Sequence, residues 1–236
     1  MGVRGALRLV LIAGWLLACL PCWALARMMG RSEVWVRRFL AGVTRIMGLH
    51  VTLAGQPAEG PALIAANHLS WLDILALGST VNPRFIAKAE IARWPVVGWL
   101  ATVGGSVFVS RERRSATRVQ ADAVAQALAG HRPVALFAEG GTGDGVVLTP
   151  FRPALFAAAQ ETGAAVQPVA IDYGSRMAEV AWPDDVPFAA ELKRILSRPG
   201  PLAVTLRFAP IIRDTGDRKA VAQAAYQAVA ERLRLA

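Results

Sequence analysis

A histidine and a carboxylate stand five residues apart in Asn67-His68-Leu69-Ser70-Trp71-Leu72-Asp73, directly after the apolar run Ala62-Leu63-Ile64-Ala65-Ala66. On a single helix, five residues turn two side chains about 140° apart. The pair meets only if His68 lies in a strand-to-helix loop and Asp73 in the first turn of a helix starting near Trp71. A carboxylate on one imidazole nitrogen leaves the other facing a substrate, the arrangement of a general base for a hydroxyl. The same residues fit a second pattern. Ser70-x-x-Asp73 reads as a helix cap, with Ser70 at the N-cap and Asp73 at the third helical position. Spacing alone leaves both readings open.

Other chemistries are poorly served. There is no G-x-S-x-G elbow for a serine hydrolase, and His50 and His131 stand apart from any metal-like cluster. The run Glu139-Gly140-Gly141-Thr142-Gly143-Asp144-Gly145 either wraps a phosphate or makes a plain tight turn; no lysine follows as in a P-loop, and G-x-G-x-x-G fails. Cys19-Leu20-Pro21-Cys22 has redox spacing but lies inside an apolar segment with no βαβ pattern after it, so both cysteines read as apolar filler. The rest of the chain has no cysteine, as expected of a domain facing a reducing cytoplasm.

The elements that must position these residues follow from periodicity. Short apolar runs predict strands at 51–53, 62–66, 84–87, 106–109, 134–138, 166–171 and 202–208. Helical stretches lie near 71–79, 90–101, 113–130, 153–162, 189–197 and 217–235. Alternation of the two predicts an α/β fold, a mostly parallel sheet flanked by helices on both faces. In such sheets ligands gather at the carboxyl ends of the strands, where His68, Arg111 and the Glu139 turn all fall.

With 236 residues, 54% of them hydrophobic and 18% charged, the chain suits one domain plus a short appendage and can bury a sizeable core. The net charge of +9, almost wholly arginine, points to an anionic partner. Leu9 to Ala26 carries no charge and is bracketed by Arg4 and Arg8 before, Arg27 and Arg31 after. That is just long enough to cross a bilayer; Pro21 would kink it, and a re-entrant helix or a signal peptide are the alternatives. Trp35, Phe39, Val43, Ile46 and Met47 then share one helix side with Arg37, Arg38 and Arg45 on the other, which fits an interfacial helix on anionic lipid or a surface helix packed on the core. The expected division is a membrane-anchoring helical segment, residues 1–48, and an α/β domain, residues 49–236. Membrane lipids are the expected partner and nucleic acid is not, since no lysine-rich run or binding motif appears.

Four blocks in order across residues 63–171 resemble the glycerolipid acyltransferase family, which includes 1-acylglycerol-3-phosphate acyltransferases. The first, Asn67-His68 through Asp73, matches the family's N-H-x-x-x-x-D. The second joins Phe85 to Glu90, Trp94 to Gly98 and Gly104 to Arg111, similar to K-x-E, P-x-x-G and G-x-x-F-x-x-R. Phe137-Ala138-Glu139-Gly140 stands where the family has F-P-E-G-T-R, and Val166 to Ile171 is like its V-P-V stretch.

The resemblance implies that His68 takes the proton of an acceptor hydroxyl while Asp73 fixes the imidazole, and that the acceptor oxygen attacks the thioester of acyl-CoA or acyl-carrier protein. No cofactor is needed. Arg111, Glu139 and Gly140 would position the acceptor head group, with Lys88, Thr142 and Arg152 as further binding candidates. In the third block Ala138 replaces proline, Gly141 threonine and Thr142 the arginine that grips the acceptor's phosphate. Glu139 to Phe151 looks instead like the E-G-T-T-x-D-G…P-F pattern of the lyso-ornithine lipid acyltransferase branch. The leading expectation is a lysolipid acyltransferase at the cytoplasmic face of the bacterial inner membrane. Its acceptor would be 1-acyl-sn-glycerol-3-phosphate, giving phosphatidic acid, with a lyso-ornithine lipid as the alternative. A non-catalytic lipid-binding membrane protein and a hydrolase using water at the same base are the readings of other classes.

Overall fold

A computed structural model describes residues 2–109, 117–183 and 185–234. Two helices open the chain, α1 (Val3–Met28) and α2 (Ser32–Ile46). There follow β1 (Leu49–Ala54), β2 (Leu63–Ala66), α3 (Leu72–Thr80), β3 (Arg84–Lys88), α4 (Val97–Val103), β4 (Val107–Val109), α5 (Thr117–Leu128) and β5 (Val134–Phe137). The chain closes with α6 (Ala157–Thr162), β6 (Val166–Asp172), a short α7 (Met177–Val180), α8 (Phe188–Ser197), β7 (Leu202–Phe208) and α9 (Arg218–Arg234). All seven apolar runs form strands. The stretch near 90–101 divides into a 3-10 turn at Ala89–Arg93 and α4, because Trp94 and Pro95 interrupt it.

The strands form one sheet in the order β1-β7-β6-β2-β5-β3-β4. Every neighbouring pair is parallel except β6 and β7, which are antiparallel. The central strands β2 and β6 are buried at every residue, as parallel strands covered on both faces must be. Side chains alternate across the sheet. Ile64 and Ala66 join a core with Leu72, Leu75 and Leu77 of α3 and Ile195 and Leu196 of α8, while Leu63 and Ala65 join the opposite core with α5, α6 and α9.

Helix α2 puts its apolar stripe onto the protein. Val43 and Met47 are buried in the α3-side core, Phe39 packs against it, and Arg37, Arg38 and Arg45 are exposed. The core therefore crosses residue 48. Helix α1 is long and apolar enough to cross a membrane, and only 11% of its most apolar window is buried. Arg8 ties it down: the buried Nη1 donates to the carbonyls of Leu196 (3.0 Å) and Arg198 (2.8 Å) at the end of α8, where unpaired helix carbonyls favour a cation. Trp15 Nε1 donates to Phe39 O at 3.1 Å and joins α1 to α2.

Candidate active site

His68 sits in the loop after β2, and Asp73 is the second residue of α3. Their contact is direct, with His68 Nδ1 2.8 Å from Asp73 Oδ2. The same oxygen accepts from the backbone amides of Leu69 (2.7 Å) and Ser70 (2.9 Å). The carboxylate reaches back to the Ser70 amide as in a capping box, but α3 starts one residue later than that pattern requires, with Trp71 at its N-cap, and Ser70 Oγ meets the Leu72 amide only at a long 3.4 Å. The capping and histidine-holding readings thus describe one carboxylate doing both jobs. Its other oxygen, Oδ1, accepts from the Tyr173 hydroxyl at 2.7 Å. Asp73 is fully buried, so four converging donors replace the water an ionised carboxylate would otherwise hold.

Two contacts fix the imidazole. The bond to Asp73 sets its rotation within the ring plane, and Phe137, at the end of β5, stacks on it with centroids 3.7 Å apart and planes 10° from parallel. Nε2 makes no hydrogen bond to the described residues and the side chain is 16% exposed, so this nitrogen is open to a substrate hydroxyl. With Nδ1 protonated toward Asp73, Nε2 is the acceptor a general base needs.

The loop carrying His68 is clamped from behind. Glu139 Oε1 accepts from the His68 amide (2.8 Å) and Oε2 from the Thr149 amide (2.9 Å), while the Gly143 amide donates to His68 O (2.9 Å). Burial pushes the Glu139 carboxyl above its ordinary pKa, and these two amide bonds pull in the opposite direction. Asn67 works alongside: its amide group donates to Ile171 O (3.0 Å) and accepts from Ile171 N (2.7 Å), extending the β2–β6 pairing past the strand end.

Of the residues singled out from sequence, His68, Asp73, Glu139 and Gly140 come together here. Thr142 is partly exposed, one residue before the Gly143 amide that holds the His68 loop. Gly140 has φ +84°, and a Cβ there would lie 2.8 Å from Arg152 Nε, so the exposed Arg152 guanidinium rests against this turn. Lys88 is exposed at the end of β3, two strands from β2 on the same sheet edge. Arg111 lies outside the described residues. A cleft of about 360 Å³ adjoins the site, lined by Asn67, Leu69, Glu139, Leu148, Met177 and Tyr226 among others. No group of three or more metal-ligating side chains occurs among the described residues. Tyr173 had no signal in the sequence, being 100 residues from its partner; Phe137 was visible only as part of a motif.

An acyltransferase family model matches residues 49–172. A lyso-ornithine lipid O-acyltransferase of Brucella abortus is 41% identical over 212 residues, 80% of this chain and 79% of that protein. The chain belongs to the acyltransferase family. Another lyso-ornithine lipid O-acyltransferase, from Rhodobacter capsulatus, is 34% identical to this acyltransferase over 95% of the chain and 86% of its own length. A 1-acyl-sn-glycerol-3-phosphate acyltransferase of Neisseria gonorrhoeae is 41% identical over 58% of the chain and 56% of that protein. The crystal structure of the 1-acyl-sn-glycerophosphate acyltransferase of Thermotoga maritima superposes with a TM-score of 0.65 over 97% of both chains at 21% identity, which shows the shared fold.

Proposed function

We propose that this acyltransferase moves a fatty acyl group from a thioester, acyl-CoA or acyl-carrier protein, to the hydroxyl of a lyso-ornithine lipid. The carrying observation is the His68 imidazole, held at Nδ1 and open at Nε2. Nε2 takes the hydroxyl proton as the acceptor oxygen attacks the thioester carbonyl; the tetrahedral adduct collapses, and the imidazolium returns the proton to the departing thiolate. Asp73 holds the tautomer and balances the charge that forms on the ring. The acceptor supplies the nucleophile, so the step requires no serine, cysteine, metal or cofactor.

The acceptor is favoured by two observations together: lyso-ornithine lipid O-acyltransferases match 80% and 95% of the chain, and Thr142 stands where a phosphate-gripping arginine is expected. The head group of such a lipid presents a carboxylate, and the Arg152 guanidinium against the Gly140 turn suits one. The Neisseria relative supports 1-acyl-sn-glycerol-3-phosphate as the second reading. Helix α1, with Val10, Leu17 and Leu25 at least 60% exposed and arginines at both ends, anchors the enzyme in the bilayer that holds both lipids.

Purified protein in detergent, given labelled acyl-CoA or acyl-carrier protein and a panel of lysolipids, is expected to form diacyl ornithine lipid and little phosphatidic acid. Phosphatidic acid as the main product overturns the acceptor assignment. Free fatty acid identifies a hydrolase, and no turnover on any acceptor identifies a binding protein. His68→Ala should lower kcat by about 10²–10⁴-fold without loss of fold; a rate within threefold of the wild type removes His68 as the base.

A further inference from the structure

Three donors from the His68 loop converge on one oxygen of Asp73, and none of them addresses the other. That second oxygen is met by Tyr173, the first residue after β6, whose side chain is buried and whose hydroxyl donates at 2.7 Å. The approach is built into the backbone. Asn67, next to His68, makes a reciprocal pair with Ile171, two residues before Tyr173, so the end of β6 is registered against the loop that carries the histidine. The charged groups facing the hydroxyl are the Asp73 carboxylate and the Arg198 guanidinium. Burial and Asp73 push the phenol well above its ordinary pKa, so it remains a donor across the range in which enzymes work.

We propose that Tyr173 is a positioning residue for acyl transfer: bonded at both oxygens, Asp73 has one orientation, and Oδ2 stays aimed at His68 Nδ1. A phenylalanine would fill the same space as Tyr173, so a packing role alone does not account for the hydroxyl. Without it, Oδ1 is a buried acceptor with no partner, and the carboxylate, held only at Oδ2 by the Leu69 and Ser70 amides and His68, can pivot about that oxygen and worsen its alignment with the imidazole. The effect reaches the substrate only through Asp73 and His68. The proposal rests on the reading of His68 as general base, and the two fail separately, because His68→Ala tests that reading without touching Tyr173.

The test is a double-mutant cycle on the full-length protein in detergent, with kcat and both KM values measured for wild type, Tyr173→Phe, Asp73→Asn and the double variant. Tyr173→Phe is expected to lower kcat about tenfold or more, the share held by one charge-assisted hydrogen bond, and to leave both KM values within twofold. In the Asp73→Asn background the same change should cost twofold or less, because the carboxamide, though still in place, carries no charge to keep aimed at the imidazolium. A kcat within threefold of wild type overturns the proposal. So does an equal loss in both backgrounds, or a loss expressed in KM, since each describes a packing role.

Should Tyr173→Phe fail to fold, 3-fluorotyrosine supplies an isosteric variant. The chain has two tyrosines, so in a Tyr226→Phe background Tyr173 alone carries the label. The more acidic hydroxyl donates more strongly to Oδ1, so the His68 Nδ1 proton resonance, which reports the bond to Oδ2, should move against the unlabelled Tyr226→Phe protein with melting temperature unchanged. An unmoved resonance overturns the proposal.

Discussion

Replacing Asp73 separates its two jobs. In Asp73→Asn the carboxamide has one acceptor oxygen and one donor nitrogen, and the fold dictates which goes where. The Leu69 and Ser70 amides both point at the Oδ2 position, and an NH2 group there would face two donors. The oxygen therefore takes that place, His68 keeps its proton on Nδ1, and the NH2 group donates to the Tyr173 oxygen. What is lost is charge. Unit charges about 4 Å apart interact by about 4 kcal/mol at an effective dielectric near 20. The remaining amide dipole retains part of this, so about 2–3 kcal/mol disappears from the transition state. At about 1.4 kcal/mol per tenfold, kcat falls roughly 30- to 160-fold with the fold kept. Asp73→Ala instead strands two buried amides and the Tyr173 hydroxyl at about 1–3 kcal/mol each, a large share of a domain's stability of about 5–15 kcal/mol. It should melt at least about 10 °C lower or aggregate. Thermal melts beside steady-state kinetics of both variants check this. A loss above about 10⁴-fold in Asp73→Asn, the consequence of a wrong tautomer, would refute the orientation argument. Wild-type stability in Asp73→Ala would refute the buried network.

Glu139→Gln removes a carboxyl whose pKa is raised in the fold, so the folded chain binds that proton more tightly than the unfolded one. Its stability contribution is full below the unfolded value near 4.5 and is lost as pH rises through the folded value. The melting-temperature deficit of the variant, which leaves one amide facing an NH2 group, should therefore shrink between pH 4 and pH 7; a growing deficit contradicts the raised pKa. Gly140→Ala places a side chain at φ +84° and against Arg152, and should cost about 1–2 kcal/mol, roughly 2–8 °C, in a thermal melt. It should also raise the acceptor KM more than the donor KM if Arg152 holds the head group. Thr142→Arg should improve turnover of lysophosphatidic acid and impair that of lyso-ornithine lipid, measured as the ratio of kcat/KM values; an unchanged ratio removes position 142 from acceptor choice.

Much of this protein is legible along the chain because the physics involved is local. Continuous apolar runs such as Leu63–Ala66 mark strands buried on both faces, and the step from that pattern to helical spacing places His68 in a loop before α3. The five-residue separation from Asp73 is also local, so the pair was readable once a loop was placed between strand and helix. Local pattern could not choose between Asp73 as cap and Asp73 as partner of histidine, because the same carboxylate geometry satisfies both. Nor could it place the apolar stripe of α2, since a helix facing lipid and a helix facing a core carry the same spacing; the burial of Val43 and Met47 against α3 and the sheet decides it. The resemblance places Glu139 among the residues that position the head group; what spacing does not show is that its oxygens hold the His68 and Thr149 amides. Tyr173 was invisible for a related reason. Its contact to Asp73 exists only because β6 lies beside β2, and strand order is set by the packing of the whole sheet. Which residues can do chemistry is written in their types and spacing. Which of them face the substrate and which hold the others in place is decided by the tertiary structure, where burial makes every unpaired donor and acceptor costly.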